Sequence, residues 1–191
     1  AQAHFRLGRI PMDGGDRARA REHFAAGTQL YERVAAETMT FSHRFNWALC
    51  LNGLGIQEAF VGESEVAANH YTQALKILTA LRHEQPDEHR VLIQLAQVHG
   101  NWALLQSRSG ISLSESLAAF DTALKLLDEL PLSRSLDRQV LDDRAGLQSN
   151  KGSVLHEHGR YREAVACLEP AVQHMRAQML ARRGDQRAAS R

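Results

Sequence analysis

Residues Asn150 to Val172 read N-K-G-S-V-L-H-E-H-G-R-Y-R-E-A-V-A-C-L-E-P-A-V. Gly152 is followed seven residues later by Gly159, and then by Tyr161, Ala164, Leu168 and Ala171. This spacing predicts a helix, a tight turn at Gly159 and a second helix. Small side chains at Gly152, Ala164 and Ala171 let the two helices approach closely. The pattern recurs. Leu54-Gly55, Gly62, Ala67, Tyr71 and Ala74 repeat it, as do Trp102-Ala103, Gly110, Ser116, Phe120 and Ala123. At the N-terminus Leu7-Gly8, Gly15, Ala20, Phe24 and Gly27 do so again. The closing small residue falls at Gly27, Ala74, Ala123 and Ala171, in steps of 47, 49 and 48 residues. A near-constant period of this kind marks an array of repeated hairpins.

The residues that recur are a small residue in the first helix, Gly at the turn, and Ala-x-x-x-large-x-x-Ala in the second helix. In this the chain resembles the tetratricopeptide repeat (TPR) family over nearly all of its length. A standard unit has about 34 residues. The longer period here is similar to the long-unit arrays of bacterial multidomain proteins, including those attached to serine/threonine protein kinases. The resemblance implies an all-α, right-handed superhelical solenoid of antiparallel helix hairpins, about four units and seven to eight helices. Units are expected at about 1–38, 39–85, 86–132 and 133–183, as one domain, with a disordered basic tail at 184–191.

Such a stack has a concave side lined by the first helix of each pair, and a groove of that kind suits an extended peptide or a helix of a partner. By this resemblance the groove positions are Asn52, Ile56 and Phe60 in the second unit. In the third they are Gln97, Asn101, Leu104 and Arg108, and in the fourth Ser149, Ser153 and His156, with Asn150 beside them. Some members grip a C-terminal carboxylate with paired Lys and Asn. Here the Asn residues are present but the paired lysines are not. Asn52, Asn101 and Asn150 can equally bond along or between helices.

Bulk composition agrees with a packed helical body. The chain has 191 residues, 43% of them hydrophobic, and a formal net charge of +1. That balance argues against a general nucleic-acid surface. No apolar run approaches the roughly 18 residues of a membrane span, and no signal peptide is evident. Cys50 and Cys167 sit among apolar neighbours on expected helices, which fits free thiols and a reducing, cytoplasmic setting. The chain opens at Ala1 rather than Met, so a fragment of a longer array is one expectation.

Apolar periodicity places helices at 16–37, 40–61, 64–84, 87–109, 113–130, 135–158 and 161–182. Pro11 shortens any helix over 1–14, and Pro170 is expected to kink the last helix or leave a carbonyl unpaired. Ser64 and Asp87 are expected N-caps, and Ser112 with Glu115 a capping box. Trp47 and Trp102 are expected in the core, and the histidines mostly as exposed polar residues. His156 and His158, two apart on a helix, point to different sides and do not make a metal pair. No nucleophile or acid–base constellation is discernible, and no cofactor is expected. The expectation is therefore a non-enzymatic interaction module for another protein. A regulatory domain that binds a small effector is the alternative, and self-association through the end units is a third reading.

Overall fold

A computed structural model describes residues 17–33, 38–110 and 112–189, with side chains as far as Ala181. Among the described residues there are eight helices and no strand. They are α1 (Arg17–Glu32), α2 (Phe41–Val61), α3 (Ser64–Glu84), α4 (His89–Arg108), α5 (Leu113–Asp128), the single turn α6 (Leu132–Ser135), α7 (Arg138–Glu157) and α8 (Tyr161–Ala189). No helix among them is long and apolar enough to cross a membrane.

Glycine sets the turns. Gly62, Gly110 and Gly159 have φ of 89°, 68° and 73°, and no non-glycine described residue has positive φ. A side chain at these positions would meet the left-handed steric penalty. After α7, the Arg160 amide reaches back to the Leu155 carbonyl at 2.9 Å, satisfying one of the free carbonyls of the helix end. A Cβ built at Gly159 meets nothing within 4 Å. Replacing Gly159 with Ala is thus expected to cost about 1 kcal/mol from backbone strain alone. Asn, which tolerates this region, should recover part of it in urea titrations.

The helices pair in chain order. α2 packs on α3, α4 on α5 and α7 on α8, while α3 touches α4, and α5 touches α7. The first helices also touch one another, α2 with α4 and α4 with α7. Glycine permits the close approaches. A Cβ on Gly55 would lie 2.5 Å from the Tyr71 ring, and one on Gly152 would lie 2.5 Å from Leu168. Gly100 receives Leu147, and Gly53 receives Phe24. Ala67, Ala74, Ala123 and Ala171 are fully buried, as the small-residue pattern predicts. Ser116 holds the equivalent position in α5, and its hydroxyl donates to the Ala103 carbonyl at 2.8 Å. The polar atom is thereby satisfied where it is buried.

Several expectations need adjusting. The helix expected at 16–37 ends at Glu32. The one expected at 135–158 is split, with Leu136 and Asp137 joining α6 to α7. The last helix continues to Ala189, through most of the segment expected to be a disordered tail. Alanine, arginine and glutamine dominate that stretch and favour helix over its lone glycine. Helix α8 also runs through Pro170, which leaves the Ala166 carbonyl without its helical donor. The expected caps differ too. Glu63 and Glu88 occupy the N-cap positions of α3 and α4, without side-chain caps. Ser112 is at the N-cap of α5 but bonds to the Ser114 hydroxyl, so the capping box does not form. Thr40, not singled out by sequence, caps α2 by accepting from the His43 amide at 3.3 Å. The expected first helix, Pro11 and Gly15 lie outside the described residues.

Trp47 and Trp102 are half-buried against the core. Cys50 is a buried free thiol, and desolvation pushes its pKa up to about 12. The half-buried Cys167 is also raised by burial. The histidines are less uniformly exposed than expected. Burial holds His70 and His99 below the usual imidazole range. His174 on α8 meets Asp142 on α7 at 2.7 Å.

Candidate functional site

The first helices of the hairpins leave a cleft between them. It has a volume of about 610 Å³ and is lined by α2, α4 and the N-terminal turn of α7, with Phe24 of α1 and Arg134 of α6 at its margins. Helical periodicity explains the composition. Phe45, Leu49, Asn52 and Ile56 recur every three or four residues, so one face of α2 enters the cleft. Arg90, Ile93, Gln94 and Gln97 do the same for α4, and Gln139 and Val140 for α7. The apolar contributions are Phe24, Phe45, Leu49, Ile56, Ile93 and Val140.

Charge collects on one side, where Asp87, Glu88, Arg90, Arg134 and Asp137 line the cleft. Arg90 bonds to Glu88 at 3.1 Å. Its guanidinium also lies 4.9 Å from the Phe41 ring centroid and 5.0 Å from that of Phe45. Those two rings stack at 6.0 Å. A guanidinium over an aromatic face is attracted by the ring quadrupole and is held in place. Arg134 is paired with Asp137 at 3.1 Å. Nδ1 of His89 is buried with no hydrogen-bond partner among the described residues. The cleft therefore offers both signs of charge beside a lining that mixes apolar side chains with the amides of Asn52, Gln94 and Gln97. That arrangement can bind and orient a ligand.

The groove residues expected from sequence divide into two groups. Asn52, Ile56 and Gln97 line the cleft. Asn101 does not. Its Nδ2 donates to Oδ1 of Asn52 at 3.0 Å, so these two asparagines tie α2 to α4. Gln97 similarly donates to Asp143 of α7 at 3.0 Å. Leu104 packs against the core. Phe60 is 60% exposed at the far end of α2, with the Arg17 guanidinium 3.9 Å above its ring. Arg108 is exposed at the end of α4. Ser149 and Asn150 are half-buried, and the Ser149 carbonyl accepts from Ser153. The exposed His156 meets Tyr161 edge-on at 5.3 Å.

The cleft thus sits nearer the N-terminal ends of α4 and α7 than the repeat pattern suggests. Phe45, Leu49, Arg90, Ile93 and Gln139 belong to it and were not anticipated. Phe45 and Leu49 were legible only as part of a helix that is apolar nearly all round. Periodicity cannot tell which apolar face of such a helix is left uncovered.

No family model matches this sequence, and no curated protein matches it. Among solved structures, it is similar to BtubC (BKLC) from P. vanneervenii, with a TM-score of 0.65 and 21% identity. The match covers 92% of this chain and 63% of the BtubC chain, so this chain spans less than two thirds of that protein's length. At that identity the likeness is one of fold.

Proposed function

We propose that this chain is a tetratricopeptide-like solenoid that acts as a protein–protein interaction module. A segment of another protein lies in the cleft across α2, α4 and α7. One observation carries this reading: three successive hairpins each turn a face of their first helix into a single cleft, whose lining mixes apolar side chains, uncharged amides and both signs of charge. An extended peptide or a helix can bury apolar side chains against Leu49 and Ile93 and set its charges against Arg90 and Asp137. The expected setting is the cytoplasm, as part of a signalling or scaffold protein.

The test is covalent capture. A photo-reactive residue at Gln139 should trap the occupant from cell extract, whereas the same residue at Arg108 should not. Adding Ile93→Glu buries a charge where an apolar contact is needed and is expected to reduce capture about tenfold or more. Undiminished capture by a folded Ile93→Glu protein would overturn the proposal. The cleft volume also lies in the range of small-molecule pockets, which favours a small effector as the second reading. A rise in melting temperature with a metabolite fraction, with no protein trapped at Gln139, would select it.

A further inference from the structure

The outer face of α8 carries an apolar stripe distinct from the cleft. Tyr161, Val165, Leu168, Val172, Met175 and Met179 alternate at four and three residues, which lines them up along one side of the helix, with the half-buried Leu168 at the edge where it also packs against Gly152 of α7. Val165 is 65% exposed, Met175 48% and Met179 58%.

The chain itself shows what covers such a stripe. Going back 48 residues, the positions of Val165, Leu168, Val172 and Met175 correspond to Leu117, Phe120, Leu124 and Leu127 of α5. There α7 packs against α5, and Leu117, Phe120 and Leu127 are buried. The charges beside the stripe are matched too. Asp121 of α5 is met by Lys151 of α7, and Asp128 by Arg144 at 2.7 Å. The earlier α5 residue takes the later α7 residue, so the covering helix runs antiparallel. On α8 the equivalent positions are Glu169 and Arg176. Both are exposed, and neither has an ion pair among the described residues.

We propose that this face of α8 seats an amphipathic α-helix of a partner protein, running antiparallel to α8. The helix carries an acid opposite Arg176 and, seven residues later, a base opposite Glu169. A second copy of this chain fits less well. The stripe is nearly symmetric about Pro170, but a two-fold axis there sets Glu169 against Glu169 and Arg162 against Arg176. Like charges so placed oppose pairing.

The probe is a hydrocarbon-stapled, fluorescently labelled peptide of residues 138–157 carrying Arg144→Glu, which keeps Lys151. Two comparison peptides are the unmodified 138–157 and one carrying Lys151→Glu alone. In anisotropy titrations with the full chain, the Arg144→Glu peptide is expected to bind about fivefold more tightly than the unmodified one, and more tightly still than the Lys151→Glu peptide. Arg176→Glu in the protein should reverse the order of the first two. Met175→Asp, on the exposed face, should weaken all three while leaving the melting temperature unchanged. Equal binding of the three peptides, an order indifferent to Arg176→Glu, or no binding would each overturn the proposal. So would a dimer in sedimentation that Met175→Asp dissolves, because a second copy would then be the occupant.

Discussion

Ala123→Trp is expected to destabilise the fold by about 3 kcal/mol or more, the upper end of the overpacking range. Ala123 is fully buried on α5. It occupies the small-residue position that lets the hairpin of α4 and α5 close. An indole there must push the neighbouring helix away, and the interior is too dense to absorb it by side-chain motion. Ala118 lies on the same helix but is exposed. Ala118→Trp is therefore expected to change stability by less than about 0.5 kcal/mol. Urea titrations of the pair separate the effect of position from that of residue type. Equal midpoints for both variants would mean that the packing register assigned to α5 is wrong.

Tyr71→Ala should cost about 3–5 kcal/mol, as for a large buried aromatic truncated to alanine. Tyr71 is 1% exposed and meets Trp102 edge-on, with ring centroids 6.3 Å apart. It therefore joins the hairpin of α2 and α3 to α4, and the Trp102 fluorescence should change when it is removed. Gly55 supplies a second measurement, because its missing Cβ makes room for the Tyr71 ring. In the parent protein Gly55→Ala should destabilise. In Tyr71→Ala the same change should be neutral or stabilising. The ring is then gone, and alanine favours the helix by about 1 kcal/mol over glycine. A double-mutant cycle measures this coupling directly. Additive effects would show that the two residues do not touch.

Both predictions rest on positions already visible in the repeat pattern, which indicates what kind of information that pattern holds. The turn glycines at Gly62, Gly110 and Gly159 and the buried alanines are local or nearly local requirements. A left-handed turn needs glycine wherever it occurs, and two close helices need small side chains at their crossing. Most helix limits were legible for the same reason, but not the end of α1 at Glu32, the short link at Leu136 and Asp137, or the run of α8 on to Ala189. The capping residues were less legible. Serine at Ser112 had a competing partner in Ser114, and only the folded geometry shows which bond forms.

Sequence alone was enough to establish, for the described residues, that the chain is helical, where its hairpins turn and which small residues face inward, because each of these follows from backbone sterics and spacing within a few turns. The tertiary structure alone decided which polar side chains are already engaged. Asn52 and Asn101, far apart in the chain, bond to each other rather than stand ready for a ligand. It also showed that a cleft opens at Leu49, Arg90 and Ile93. The physical reason is that an uncovered surface depends on how each hairpin is rotated against the next. That rotation is set by many long-range contacts acting together, and no local spacing encodes it.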